Sequence, residues 1–203
     1  MADKVFPTKG NLINLKNSYA LAKTGYELMD RKRNVLIREV MQLLNEASEI
    51  KDSINKTYIT AYEALKKANI KGGIPDDIAL SAPVENGVNI TYRSVMGVNL
   101  PKLSLTETDE KTNPFTYHRT NIEFDEAVKA FTEVKKLCVK LAEIESSIYR
   151  LSVNIKKTQK RANALKNIVI PKFTEQIAFI TDVLNERERE EFSRLKVIKK
   201  KTK

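Results

Sequence analysis

The side chains best equipped for chemistry are few and scattered. Four carboxylates, Glu186, Glu188, Glu190 and Glu191, crowd into six residues, and Asp76-Asp77 form a second cluster. Clustered carboxylates can share a proton or hold a divalent cation. The four glutamates, however, alternate with Arg187 and Arg189 and precede Arg194. That pattern reads as a solvated, salt-bridged helix face rather than an acid/base pair. Asp76-Asp77 follows Gly72-Gly73-Ile74-Pro75 and reads as a turn or a helix start. A single histidine, His118, leaves little room for metal or triad chemistry and reads as structural or exposed. A single cysteine, Cys138, rules out an internal disulfide and a Cys-based zinc cluster, and reads as a small packed residue. No G-x-x-x-x-G-K-S/T, G-x-G-x-x-G, H-E-x-x-H or G-x-S-x-G occurs. The expectation is a chain with no catalytic site, no cofactor and no metal of its own.

What remains is a problem of elements. The chain has 203 residues, 41% hydrophobic but only 7% aromatic, with six Gly and six Pro. Turn punctuation that sparse favours long helices over a sandwich or barrel. From Leu15 a seam runs in alternating steps of four and three through Tyr19, Ala22, Tyr26, Met29, Arg33, Leu36, Val40, Leu43, Ala47, Ile50, Ile54, Thr57, Ala61, Ala64 and Ala68. Only Arg33 and Thr57 break its character. A seam held over more than seven heptads is a strong helix-pairing signal, and Thr8 is the candidate N-cap before it. A second seam follows Ala127, Ala130, Val134, Leu137, Leu141, Ile144, Ile148, Leu151, Ile155, Thr158, Ala162, Leu165 and Val169. It continues loosely through Phe173, Ile177, Ile180 and Leu184. Pro171 lies inside that run and predicts a kink or a helix restart, because it lacks a backbone donor.

Residues 71–120 hold four of the six Gly and four of the six Pro, so they cannot form one helix. Asn86-Gly87 is a type I′ hairpin turn signal. Val88, Ile90 and Tyr92 alternate with Asn89 and Thr91 as a half-buried strand does, and a second apolar run spans Val95 to Leu100 with Gly97 inside it. The division predicted is therefore a helix over 1–70, a mixed loop and hairpin segment over 71–120, and a helix with a basic end over 121–203. The fold class is all-α dominated: a long antiparallel two-helix coiled coil with a small β-hairpin segment between the helices. A parallel homodimer along each seam is the competing arrangement.

Charge sharpens that picture. The net charge is +10, yet residues 1–38 carry eight Lys/Arg against three Asp/Glu, and residues 156–203 carry fourteen against six. The rest is nearly neutral. Antiparallel pairing brings both basic ends to one tip, suited to an acidic or carbonyl-rich surface. No apolar stretch approaches the roughly 20 residues of a membrane span. A cytoplasmic location without membrane insertion is expected.

One stretch is more specific than composition. It reads Lys157-Thr158-Gln159-Lys160-Arg161-Ala162-Asn163-Ala164-Leu165, then Ile170-Pro171, then Leu184-Asn185-Glu186-Arg187-Glu188-Arg189-Glu190-Glu191, then Arg194-Leu195-Lys196. With Pro7-Thr8-Lys9, Leu12, Leu15-Lys16 and Met96-Gly97-Val98, the chain resembles the D subunit of the V-type (A/V-type) rotary ATPases over essentially its whole length. It departs at Ala162, where Val is usual, and at Lys166, where an acidic residue is usual. The resemblance implies a non-catalytic central-stalk rotor that couples ATP hydrolysis or synthesis to ion movement. It implies as partners the F subunit of the central stalk, the catalytic and regulatory subunits of the hexamer, and the funnel-shaped subunit above the membrane ring. Arg161, Arg187, Arg189, Arg194 and Lys196 are the candidate hexamer-contacting cations. Two other readings compete: a prefoldin-like chaperone arm, and a basic coiled coil that binds nucleic acid. The basic tip argues against the first. Only Tyr19, Tyr26 and Phe192 offer stacking near the tip, against the second.

Overall fold

Helix α1 starts where its capping signal places it. The Thr8 hydroxyl accepts the Asn11 backbone N–H at 3.3 Å, the Thr8 carbonyl accepts Leu12 N–H at 3.0 Å, and the Asn11 amide reaches back to the Phe6 carbonyl. The helix then runs from Lys9 to Gly72. It ends as helices with a left-handed residue do: Gly73 has φ +75° and donates to the Asn69 carbonyl at 3.1 Å. A computed structural model describes residues 6–73, 87–106 and 121–201. Helix α2 spans Ile122–Ala164, with Glu123 and Asp125 in its first turn, where carboxylates complement the helix dipole. One π-helical turn, Leu165–Val169, joins it to helix α3, Ile170–Lys201.

The chain divides into two compact units, residues 1–35 with 155–203 and residues 36–154. Within the first, Lys9 meets Glu188 at 2.9 Å and Lys166 sits over the Tyr26 ring. Within the second, Tyr58 meets Cys138, Tyr62 meets Phe131 and Lys71 pairs with Glu123. In each unit the partner's number falls as the residue number rises, so the helices run antiparallel. Every seam position named from the sequence is buried or half-buried, and none is exposed. The buried set is Ala22, Leu36, Leu43, Ile54, Ala61 and Ala68 on α1, Ala127, Val134, Ile144, Leu151 and Ala162 on α2, and Ile180 on α3. The two non-apolar α1 seam positions are accommodated locally. Arg33 pairs with Asp30 at 2.6 Å, and the Thr57 hydroxyl bonds to the Ser53 carbonyl. Thr158 and Ser147 are buried polar side chains, and no buried side-chain polar atom among the described residues lacks a hydrogen-bond partner.

Strands β1, Val88–Val95, and β2, Val98–Leu105, form an antiparallel hairpin with Val95 opposite Val98 and Val88 opposite Leu105. Its turn is Met96-Gly97, at φ +50° and +75°. Two consecutive left-handed residues are what a type I′ turn requires, and Gly97 takes that conformation without a Cβ penalty. Gly97 thus closes the hairpin rather than interrupting a strand. Gly87 lies at the open end, where its carbonyl accepts Thr106 N–H at 2.8 Å, and Asn86 lies outside the described residues. The strand over Val88–Tyr92 is present, but its apolar side chains are not half-buried. Val88, Ile90 and Tyr92 are exposed, whereas Val98 and Leu100 on β2 carry the burial. Four contacts fasten the hairpin. Arg93 pairs with Glu39 at 3.1 Å, and Arg150 donates to the Asn99 carbonyl at 3.2 Å. The Arg150 guanidinium also stacks 5.4 Å from the Tyr92 ring centre, and the Glu143 carboxylate accepts Leu103 N–H at 2.9 Å.

Candidate functional site

The basic end is built by one helix continuing past the other's start. Opposite Glu188, α1 is only at Lys9. From Asn185 to Lys201 every residue of α3 is exposed. Three of the four glutamates are held in ion pairs. Glu186 pairs with Arg189 at 3.6 Å, Glu190 with Arg194 at 3.7 Å, and Glu188 with Lys9. The Glu188 hydrogen bond holds the Lys9 amine above its ordinary value. All these partners are largely exposed, so screening leaves each pair little energetic weight. They order the surface rather than create an acid/base site.

The five candidate cations do not form one cluster. Arg187, Arg189, Arg194 and Lys196 share the exposed end of α3. Arg187 also donates to the Pro7 carbonyl at 3.4 Å, which ties it to the start of α1. Arg161 lies in the last turn of α2, 26 residues before Arg187 in the sequence. At the helical rise that is roughly 39 Å along the axis. Arg161 is therefore a separate contact point. Pro171 occupies the second position of α3, directly after the π-helical turn, in which Ile170 N–H bonds to the Leu165 carbonyl.

The cation pattern leaves out an apolar component. Phe192 (68% exposed), Leu195 (65%) and Ile198 interleave with those cations at three-residue steps, and Ile13, Leu21 and Leu28 are exposed on α1. The signal was present as apolar residues off the seam near the basic ends. Solvent-facing apolar and cationic groups together suit a protein surface better than a lone polyanion.

Of the remaining chemical candidates, Cys138 lies among the described residues and fits a structural role. Cys138 is half-buried, with Sγ 3.7 Å from the Tyr58 hydroxyl, a contact that pushes the Tyr58 phenol above its ordinary value. Asp76, Asp77 and His118 lie outside the described residues. Among the described residues there is no group of three or more His, Cys, Asp or Glu able to hold a metal ion. No described helix is long and apolar enough to cross a membrane.

The sequence model of the ATP synthase D-subunit family matches residues 11–200. The chain belongs to that family. Its relatives include the V-type ATP synthase D subunit of Thermotoga neapolitana, 41% identical over 199 residues, covering 97% of this chain and 98% of that one. The A-type ATP synthase D subunit of Methanosphaera stadtmanae is 36% identical over 202 residues, covering 98% and 94%. That of Pyrococcus furiosus is 36% identical over 200 residues, covering 97% and 94%. This D-subunit chain is thus a non-catalytic component of a V/A-type ATP synthase complex. The matched stretch takes in both long helical segments and the hairpin between them, so the likeness extends over the whole described fold.

Proposed function

We propose that this D-subunit chain is the central-stalk rotor of its complex, transmitting torque between the catalytic hexamer and ion translocation by the membrane ring. The observation that carries this reading is that, within each unit, every seam position is buried or half-buried, set against the fully exposed basic and apolar end of α3. A shaft needs side-chain packing along its length to pass on a twist, and a surface at its end that engages without locking. A helix pair lacks threefold symmetry. Three equivalent sites around it would each meet a different face, and differential contact would bias each to a different state. The exposed cations supply many weak, screened contacts, which can be exchanged in turn as the shaft moves.

On this reading Arg187, Arg189, Arg194 and Lys196 contact the hexamer at the tip and Arg161 contacts it lower down. The F subunit and the funnel-shaped stalk component hold other parts of the shaft. The chain works on the cytoplasmic side, peripheral to the membrane. Pro171 gives α3 the freedom to curve inside the hexamer. The test is a reconstituted complex in which all five cations are changed to Gln. The expected result is ATP hydrolysis that continues while ion pumping per ATP falls several-fold. Unchanged coupling would remove the cations from the mechanism. A prefoldin-like or nucleic-acid-binding role has no observation in its favour beyond the coiled coil and the charge.

A further inference from the structure

The second seam carries an irregularity that the structure resolves at a single turn. Regular heptads alternate steps of four and three, but Leu165, Val169, Phe173 and Ile177 follow one another in three successive steps of four. Relative to the seam on either side, one residue has been added. A one-residue insertion in an α-helix is absorbed as a single π-helical turn, which keeps both flanking faces in register. The π-helical turn lies at Leu165–Val169, with Ile170 N–H bonded five residues back to the Leu165 carbonyl. Pro171 follows and has no N–H for the Asn167 carbonyl.

The facing helix is weak at the same level. Gly25 lies opposite Leu165: a Cβ there would meet the Leu165 Cδ1 at 3.9 Å. Glycine is the residue that α-helices tolerate least after proline. Packing thins here too. No residue is buried between Ala22 and Leu36 on α1, or between Ala162 and Ile180 across the turn. These are the longest gaps between buried residues on either side of the pair. Lys166 Nζ lies over the Tyr26 ring at 5.8 Å across the level, with Lys166 exposed, a weak attraction in that setting.

We propose that the level of Gly25 and Leu165–Pro171 is a built-in compliant joint, where the helix pair opens and bends locally before the seam on either side of it does. Its cause is the added residue in the seam, reinforced by Gly25 across the pair. Local opening free energies vary along a structure with packing and backbone support, and this level combines a gap in the buried seam with a π-helical turn, Pro171 and Gly25. The joint is a property of the helix pair, and its use during rotation rests on the rotor reading. In that setting it would let the end of α3 lag or lead the rest of the shaft while contacts are exchanged.

The test is amide hydrogen exchange on the full chain by itself, so the outcome does not depend on the rotor reading. Amides of residues 23–30 and 163–173 are expected to exchange roughly tenfold faster than those of 36–43 and 151–158. Equal protection would overturn the joint. Three variants assign the cause. Deleting Pro171 restores alternating steps of four and three through Leu184 and is expected to erase the difference at 163–173. Pro171→Ala keeps the added residue and is expected to leave most of it. Gly25→Ala, whose methyl fits at an ordinary contact distance, is expected to slow exchange at 23–30 by about fivefold. If the deletion does not fold, Pro171→Ala and Gly25→Ala still decide: full protection in the first would overturn the added residue as cause. No change in the second would overturn the part given to Gly25.

Discussion

Between Leu36 and Ala68, α1 buries a side chain every seven or eleven residues, whereas α3 beyond Leu184 is exposed at every position. Both stretches carry apolar residues, and only the first packs them into its own fold. The difference teaches that apolar residues in a long helix have two uses. Those on the seam hold the pair together. Those off the seam at the basic end, Phe192 and Leu195 among them, face outward with the cations.

The comparison is sharpened most by truncating one side chain on each side of it. Leu151 is 0% exposed. Leu151→Ala should lower unfolding free energy by about 2–5 kcal/mol, because it removes a buried side chain and leaves a cavity. Leu195→Ala, at the exposed end, should change it by less than about 0.5 kcal/mol. Denaturant midpoints of the two variants check both values, and equal losses would break the comparison.

A second test concerns the hairpin. Gly97 sits at φ +75° with nothing within 4 Å of a Cβ built there. Gly97→Ala should therefore cost only the left-handed strain of an alanine, about 1–2 kcal/mol. Exchange of the β1–β2 amides should report that cost, with the seam amides unmoved.

The smallest effect is electrostatic. The hydrogen bond to Lys71 holds the Glu123 carboxyl below its ordinary value of 4.5, and the same bond holds the Lys71 amine above its ordinary value of 10.5. A lowered carboxyl contributes stability above its unfolded value and loses it as pH falls through the folded one. A raised amine contributes below its unfolded value and loses it as pH rises through the folded one. The pair's contribution is thus complete from above pH 4.5 to below pH 10.5. Glu123→Gln should lower Tm slightly at pH 7, and the difference from the wild type should shrink as pH falls through the lowered folded value of the carboxyl.

Most of this was legible in the sequence because helix pairing is written in a period. Each seam position from Leu15 to Leu184 occupies a buried or half-buried place. The hairpin was legible as an alternating strand, but its turn was not. Asn86-Gly87 carries the stronger local signal, while Met96 adopts a left-handed φ that a long side chain seldom takes. The hairpin is fastened through contacts made by Arg93, Arg150 and Glu143, with β2 rather than β1 carrying the burial, and no local pattern encodes these. The π-helical turn was legible in the three steps of four from Leu165 to Ile177, which a reading tolerant of either step passes over. Burial of Ser147, off the seam, had no sequence signal.

The central claim is that this chain turns inside its complex. The direct measurement fixes the hexamer to a surface, attaches a bead to the chain through a cysteine introduced into the hairpin turn at Met96, and supplies ATP to the single complex. The account expects stepwise rotation in one direction, with a speed that follows the hydrolysis rate. Steady hydrolysis with a bead that does not rotate would contradict it.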